Sequence, residues 1–170
     1  MAIDKSVGIV VAHTPVLLNL CSIGQVKLLT SLFREVVIPP EVASDFVRLV
    51  SETPRFEGLT LPRWLRQQPV SVVPNLVRCA RGLEPAAAAA LSLAVELHAV
   101  AVLVEKRRVH EVALQLGLRA IGVLGILSEA KAKGLLPRIA PMLDELEAKA
   151  GFKITPTLRA RVLRTAGEAK

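Results

Sequence analysis

Short apolar runs alternate along the chain with segments whose apolar residues recur at helical spacing. The runs that predict strands are SVGIVVA, EVVIPP, PVSVVP, AVAVLV and LRAIGV. Because their polar and apolar residues do not alternate, they are typical of strands that are buried on both faces. Strand–helix alternation of this kind predicts a three-layer α/β/α domain, with a central parallel sheet of four to five strands.

Helical patterns fill the segments between the predicted strands. The clearest is EPAAAAALSLAVELHA, which has Pro85 in its first turn and then a run of strong helix formers. Apolar spacing also predicts helices over IGQVKLLTSLF, from Glu41 onward, and over VHEVALQLG. Three more helical segments follow the last strand. We therefore predict an α/β domain over residues 1–135 and a helical extension over 136–170, packed together as one structural unit.

Composition excludes several classes of protein. Apolar residues make up 52% of the 170 residues, enough for a full core, yet no apolar run reaches the length of a membrane span. The N-terminus lacks the pattern of a signal peptide. Cys21 and Cys79 show neither metal nor redox spacing, so we expect reduced, buried thiols in a cytoplasmic protein without membrane association.

The charge balance favours acidic partners. A net charge of +7 is typical of nucleic-acid binding, although solubility alone would also explain it. Aromatic residues make up only 3% of the chain, which disfavours binding of single strands by successive base stacking. We therefore expect contacts to backbone phosphates.

Polar residues follow two of the predicted strands abruptly. His13 and Thr14 come after the first strand, and Glu105 and Lys106 come after the fourth. Ligands of parallel sheets bind beyond the carboxyl ends of the strands, so these residues mark the candidate site.

The order of these segments resembles the PIN-domain family, and within it the VapC-like toxin ribonucleases with a helical C-terminal tail. The stretches that carry the resemblance are VVAHTPVLLNL, IGQVKLLTSLFREVVIPPEV, LEPAAAAALSLAVEL, AVLVEKRRVHEVALQLGLRAIGVLGIL and AKAKGLLPRIAPMLDEL through GFKITPTL. The resemblance implies a PIN-like fold and metal-dependent cleavage of RNA, in which clustered carboxylates hold Mg²⁺ or Mn²⁺. It also implies a homodimer and a small antitoxin protein as a partner.

This chain departs from the family at its acidic positions. His13 stands where the resemblance implies an Asp, and Ala87 and Ala89 stand where it implies two acids of the central helix. Of the pair expected after the fourth strand, only Glu105 is acidic, because Lys106 replaces the second acid. We therefore expect no cofactor and no metal site, with Glu105 as the ligand if a metal binds at all.

Two functions of different classes stay open. The first is a PIN-domain protein without nuclease activity that binds RNA or a protein partner. The residues expected to contact the RNA are Thr14, Lys106, Arg107 and Arg108. The second is an active Mg²⁺- or Mn²⁺-dependent endoribonuclease with a rebuilt site, in which His13 and Glu105 occupy the catalytic positions.

The same residues also have structural interpretations. His13 would donate a hydrogen bond to Glu105 across adjacent strand ends and fill a former metal pocket. Thr14 would cap the turn that follows it. Glu105 to Arg108 would form the solvated start of a helix.

Overall fold

A five-stranded parallel sheet forms the centre of the computed structural model, which describes residues 8–168. Its strands are β1 (Ile9–Ala12), β2 (Glu35–Ile38), β3 (Arg66–Gln67), β4 (Ala101–Leu103) and β5 (Ala120–Ile121). Their order across the sheet is β3-β2-β1-β4-β5, and every neighbouring pair is parallel. The predicted sheet is therefore confirmed, while Ser6 and Val7 of the predicted first strand lie outside the described residues.

Helices flank this sheet as the sequence predicts. They are α1 (Thr14–Ser22), α2 (Leu28–Leu32), α3 (Pro40–Glu52), α4 (Asn75–Cys79), α5 (Pro85–Glu96), α6 (Arg107–Gln115), α7 (Val123–Ala132), α8 (Ala140–Glu145) and α9 (Pro156–Thr165). A 3-10 turn over Pro54–Phe56 follows α3, and a π-helical segment over Leu146–Ala150 continues α8. The arrangement is a three-layer α/β/α fold.

The core is centred on β1, which lies between β2 and β4. In the register of the sheet, Val11 pairs with Val37 of β2 and with Val102 of β4, and all three side chains are fully buried. Burial on both faces explains why these strands read as continuous apolar runs. Since β1 and β4 are neighbours, their carboxyl ends bring His13 and Glu105 to the same edge of the sheet.

Two local predictions are wrong. The helix predicted over residues 23–33 is α2 alone, and an unpredicted helix, α1, occupies the preceding segment. Gly24, with φ of +67°, interrupts the helical pattern between them. The predicted strand PVSVVP is not a strand, since β3 lies earlier and contains only two residues. Instead, the N–H groups of Ser71 and Val72 donate to the Glu96 carboxylate at 2.8 and 3.1 Å.

The C-terminal helices pack onto the α/β layers. Leu143 and Leu146 are fully buried, the π-helical segment packs against α1, and α9 packs against α7. Glu168 joins the end of the described chain to this region, because its carboxylate accepts hydrogen bonds from the N–H groups of Ile139 and Ala140 at 2.7 and 3.1 Å. The extension is therefore held by both apolar packing and a buried carboxylate.

The two cysteines are free thiols, which confirms the expectation that they do not pair. Cys21 is partly buried, but Cys79 is exposed at the end of α4, so the prediction that both are buried is wrong for Cys79. No helix within residues 8–168 has the length and apolar character needed to cross a membrane.

Candidate functional site

His13 lies at the carboxyl end of β1, immediately before α1. Its backbone N–H donates to the carbonyl of Leu103 in β4 at 2.9 Å, so the two strand ends marked by the sequence are adjacent. The imidazole is fully buried, and neither ring nitrogen has a hydrogen-bond partner in the described part of the chain. Burial, aided by the charge of Lys106, lowers the pKa of His13 to about 4. The imidazole is therefore neutral at neutral pH.

Thr14 begins α1 and is also fully buried. Its hydroxyl oxygen has no hydrogen-bond partner among residues 8–168, and no side chain caps α1. The predicted capping role is therefore wrong. Buried polar groups are nearly always hydrogen-bonded, so the unpartnered side chains of His13 and Thr14 set this strand end apart from the rest of the core.

Glu105 follows β4 and is directed to the start of α7. Its Oε1 accepts a short hydrogen bond from the N–H of Val123. A Cβ at Gly122 would lie 3.1 and 3.3 Å from the two carboxylate oxygens, which is why glycine suits that position. Burial raises the pKa of Glu105 to about 7, and the Val123 hydrogen bond opposes the shift. The predicted hydrogen bond between His13 and Glu105 is wrong, because Glu105 caps α7 instead.

The charged groups around the strand ends are paired with one another. Lys106 forms a short ion pair with Glu84, which lies immediately before α5, and not with its neighbour Glu105. Asp45 of α3 accepts from Arg48 at 2.5 Å. Glu84 and Asp45 therefore have cations as partners, and Glu105 has a helix N-terminus.

Asp45 is a residue of the site that sequence reasoning missed. Its negative charge, like that of Glu84, acts on the buried imidazole of His13 and raises its pKa against the larger effect of burial. The available signal was its place in α3, which follows β2 and so begins at the same edge of the sheet. The sequence offers two roles for Glu84, as an additional metal ligand or as an acid that favours the dipole of the central helix.

A hard divalent cation does not fit these side chains. Within residues 8–168, no three His, Cys, Asp or Glu side chains form a group that could hold a metal ion. Glu105 is used to cap α7, and the carboxylates of Asp45 and Glu84 are bound to cations. A neutral imidazole in place of a carboxylate also disfavours Mg²⁺, which prefers oxygen ligands.

The cleft continues into two cavities, of about 560 and 380 Å³. Both are lined by Asp45, Arg48 and Glu84, so they are parts of one groove between α3 and the start of α5. The smaller cavity also contacts α1 and Lys106. The space beyond the strand ends is therefore large enough for a ligand.

A basic patch lies beside this groove, formed by Arg81, Lys106, Arg107 and Arg108. The Nε of Arg108 donates to the carbonyl of Arg81 at 2.8 Å, which joins the loop before α5 to the start of α6. Arg107 is 94% exposed. The side chains of Lys106, Arg107 and Arg108, which the sequence singled out, are accessible to solvent, whereas Thr14 is fully buried.

Comparison of the sequence with known protein families agrees with the fold described above. Residues 9–168 match the model of the family described as the PIN domain, which is nearly all of the described part of the chain. A search of curated proteins finds no match.

Proposed function

Because this chain belongs to the PIN-domain family, we propose that it binds RNA at the cleft without hydrolysing it through a divalent metal ion. The observation that carries the proposal is the partnering of the acids: Asp45 and Glu84 are ion-paired, and Glu105 caps α7. A divalent ion at this cleft would have to displace these partners. Hydrolysis of the kind implied by the resemblance needs such an ion to polarise the phosphate.

The basic patch supports binding to the phosphate backbone. Lys106 lines the groove, and Glu111, the acid that pairs with Arg107 and Arg108, is 3.5 Å from each of them. Such distant, exposed pairs hold the guanidinium groups weakly. The groups are therefore available to phosphates, whose neutralisation dominates the affinity for nucleic acid.

A cleavage assay tests the missing hydrolysis. Labelled single-stranded RNA incubated with the protein and Mg²⁺ or Mn²⁺ is expected to stay intact. Metal-dependent cleavage that disappears in Glu105→Ala would overturn the proposal and establish the alternative function, an active endoribonuclease with a rebuilt site.

A binding assay tests the basic patch. Fluorescence anisotropy is expected to show RNA binding that weakens with salt. The double variant Arg107→Glu/Arg108→Glu should bind more weakly and flatten the slope of log affinity against log salt by about 1.4, for two phosphate contacts on a single strand. The matched control is Arg161→Glu/Arg164→Glu, which makes the same charge change on exposed residues of α9. Equal losses in both variants would contradict binding at the patch.

A third experiment asks whether the cleft still has the shape of a metal site. His13→Asp combined with Ala87→Glu returns two carboxylates to the positions that the resemblance assigns to acids. We expect this variant to gain Mn²⁺ binding, measured as a rise in melting temperature with added Mn²⁺ that is absent in the wild type. If this variant does not gain Mn²⁺ binding, the cleft no longer has the shape of a metal site.

The finer assignments stay predictions. The resemblance implies the VapC-like subgroup, a small antitoxin protein as partner and a homodimer, and the cysteine usage favours a cytoplasmic location. In the described chain, Val162 and Leu163 of α9 pack against the core, so the apolar side of this helix is at least partly used within the protein. Size-exclusion chromatography across a range of concentrations tests the dimer, and a concentration-independent monomer would overturn it.

A further inference from the structure

The smaller cavity of the groove contains a buried amide that the proposed function does not use. Asn19 of α1 lines this cavity and is only 8% exposed. No described residue forms a hydrogen bond with its side chain. Its amide atoms are unpaired among the described residues and open to the cavity, so they are available to a ligand there.

The lining of this cavity is partly apolar and partly charged. Leu18, Leu49 and Phe56 are among its apolar residues, and Lys106 belongs both to the lining and to the basic patch. The other charged groups in the lining are Arg48, Asp45 and Glu84. Their charges cancel in the pairs Arg48–Asp45 and Lys106–Glu84. A cavity without net charge is better suited to a neutral, planar group than to a phosphate.

Phe56 is held in the wall by the C-terminal extension. It ends the 3-10 turn that follows α3, and its N–H donates to the carbonyl of Thr53 at 2.9 Å. The preceding residue, Arg55, donates to the carbonyl of Ala150 in the π-helical segment at 3.3 Å. The extension therefore helps to shape the cavity.

We propose that this cavity is a subsite for one unstacked adenine base of the RNA bound at the basic patch. The proposal rests on the proposed function, since the patch supplies the phosphate contacts. An amide offers one donor and one acceptor side by side, which complement the N6 amino group and N7 of adenine. Lys106 lines the cavity and also belongs to the basic patch. A nucleotide can therefore place its base in the cavity while its phosphate contacts the patch.

The scarcity of aromatic residues is consistent with this subsite. Binding of successive bases by stacking needs several aromatic platforms, and this chain has few. A single base subsite needs only apolar walls and one group that recognises the base, which here are Leu18, Leu49, Phe56 and Asn19. We therefore expect the protein to select the base at one position of the RNA and to contact the other nucleotides independently of their sequence.

The experiment compares octaadenylate, octacytidylate and octauridylate RNA by fluorescence anisotropy. The wild type should bind octaadenylate on the order of tenfold more tightly than the other two. Asn19→Leu should abolish this preference and leave the affinity for octauridylate and its salt dependence unchanged. The control, Asn75→Leu, makes the same change on α4, at an exposed position outside the cavity lining, and should keep the preference.

The outcomes separate the two proposals. If the wild type binds none of the three RNAs, both proposals fail. Equal binding of all three overturns the adenine subsite alone. Free adenosine should compete with octaadenylate more strongly than uridine does, and absence of this competition also overturns the subsite. This last measurement uses the wild type, so it stays decisive even where Asn19→Leu does not fold.

Discussion

Two carboxylates of this protein each accept hydrogen bonds at the start of a helix, yet their pKa values are shifted in opposite directions. Glu105 accepts from the N–H of Val123 at the start of α7, and Glu168 accepts from Ile139 and Ala140 at the start of α8. Burial raises the pKa of both carboxyl groups. For Glu105 it dominates, and the pKa is about 7, whereas for Glu168 the hydrogen bonds dominate, and the pKa is about 2.

The difference lies in the number of donors. Glu168 accepts from the N–H groups of Ile139 and Ala140 and from the ammonium of Lys131 at 2.9 Å. Glu105 accepts from the N–H of Val123, and Lys106, its neighbour in the sequence, is paired with Glu84. Two helix N–H groups and an ammonium therefore outweigh the effect of burial on the pKa of Glu168, whereas the N–H of Val123 does not outweigh it for Glu105.

The largest effect is expected at Glu168. Glu168→Ala leaves the N–H groups of Ile139 and Ala140 and the ammonium of Lys131 without their acceptor, and should lower the free energy of unfolding by about 3 kcal/mol. Urea denaturation measures this loss. Glu147→Ala is the control, because its ion pair with Arg159 at 3.4 Å is exposed and should contribute less than about 0.5 kcal/mol. Equal effects would show that Glu168 does not anchor the extension.

The next largest effect concerns the pH dependence due to His13. Its pKa falls from 6.5 to about 4 on folding, so its contribution to stability is complete above pH 6.5 and is lost as the pH falls toward 4. His13→Asn removes this dependence. Between pH 7.5 and 4.5, the wild type should lose about 2 kcal/mol more stability than the variant in denaturant titrations. Parallel losses would mean that the imidazole is solvated in the folded protein.

Glu105 should give an effect of similar size and opposite sign. Its pKa rises from 4.5 to about 7 on folding, so its contribution is complete below pH 4.5 and is lost as the pH rises through 7. Glu105→Gln keeps an acceptor for Val123 without a charge, and should be about 3 kcal/mol more stable than the wild type at pH 8 and equal to it at pH 4. A variant that is less stable at pH 8 would show that the carboxylate stays charged as a cap.

The smallest effect is expected at a neutral cap. The hydroxyl of Thr155 accepts from the N–H of Leu158 at 3.2 Å at the start of α9. Thr155→Ala should lower the free energy of unfolding by about 0.5–1 kcal/mol. Thr157→Ala, on an exposed position two residues later, serves as the control and should change it less. A Thr155→Ala loss as large as that of Glu168→Ala would remove the distinction between charged and neutral caps.

Much of the fold could be predicted from the sequence because its signals are local. The valines of β1 and β4 are buried on both faces, and Pro85 with the alanines behind it defines α5. The segment that became α1 was missed because Pro15 follows two polar residues, a pattern that also fits a turn. Val72 and Val73 have the apolar character of a strand, but they are exposed and pair with no strand of the described sheet.

The site was only partly predictable because its partners are distant in the chain. The sequence placed His13 and Glu105 at one edge, but it did not predict what their side chains contact. Glu105 accepts a hydrogen bond from Val123, and the imidazole of His13 is fully buried. Lys106 and Glu84 are 22 residues apart, and no local pattern indicates that they pair. Ion pairing across the groove is a property of the tertiary structure.

The bond between the N–H of His13 and the carbonyl of Leu103 does not depend on the side chain at position 13. The contact that holds β1 to β4 at this edge belongs to the backbone, so every residue except proline has the N–H group that it needs. The edge of the sheet at this cleft is therefore held independently of the chemistry that the side chain at position 13 supplies.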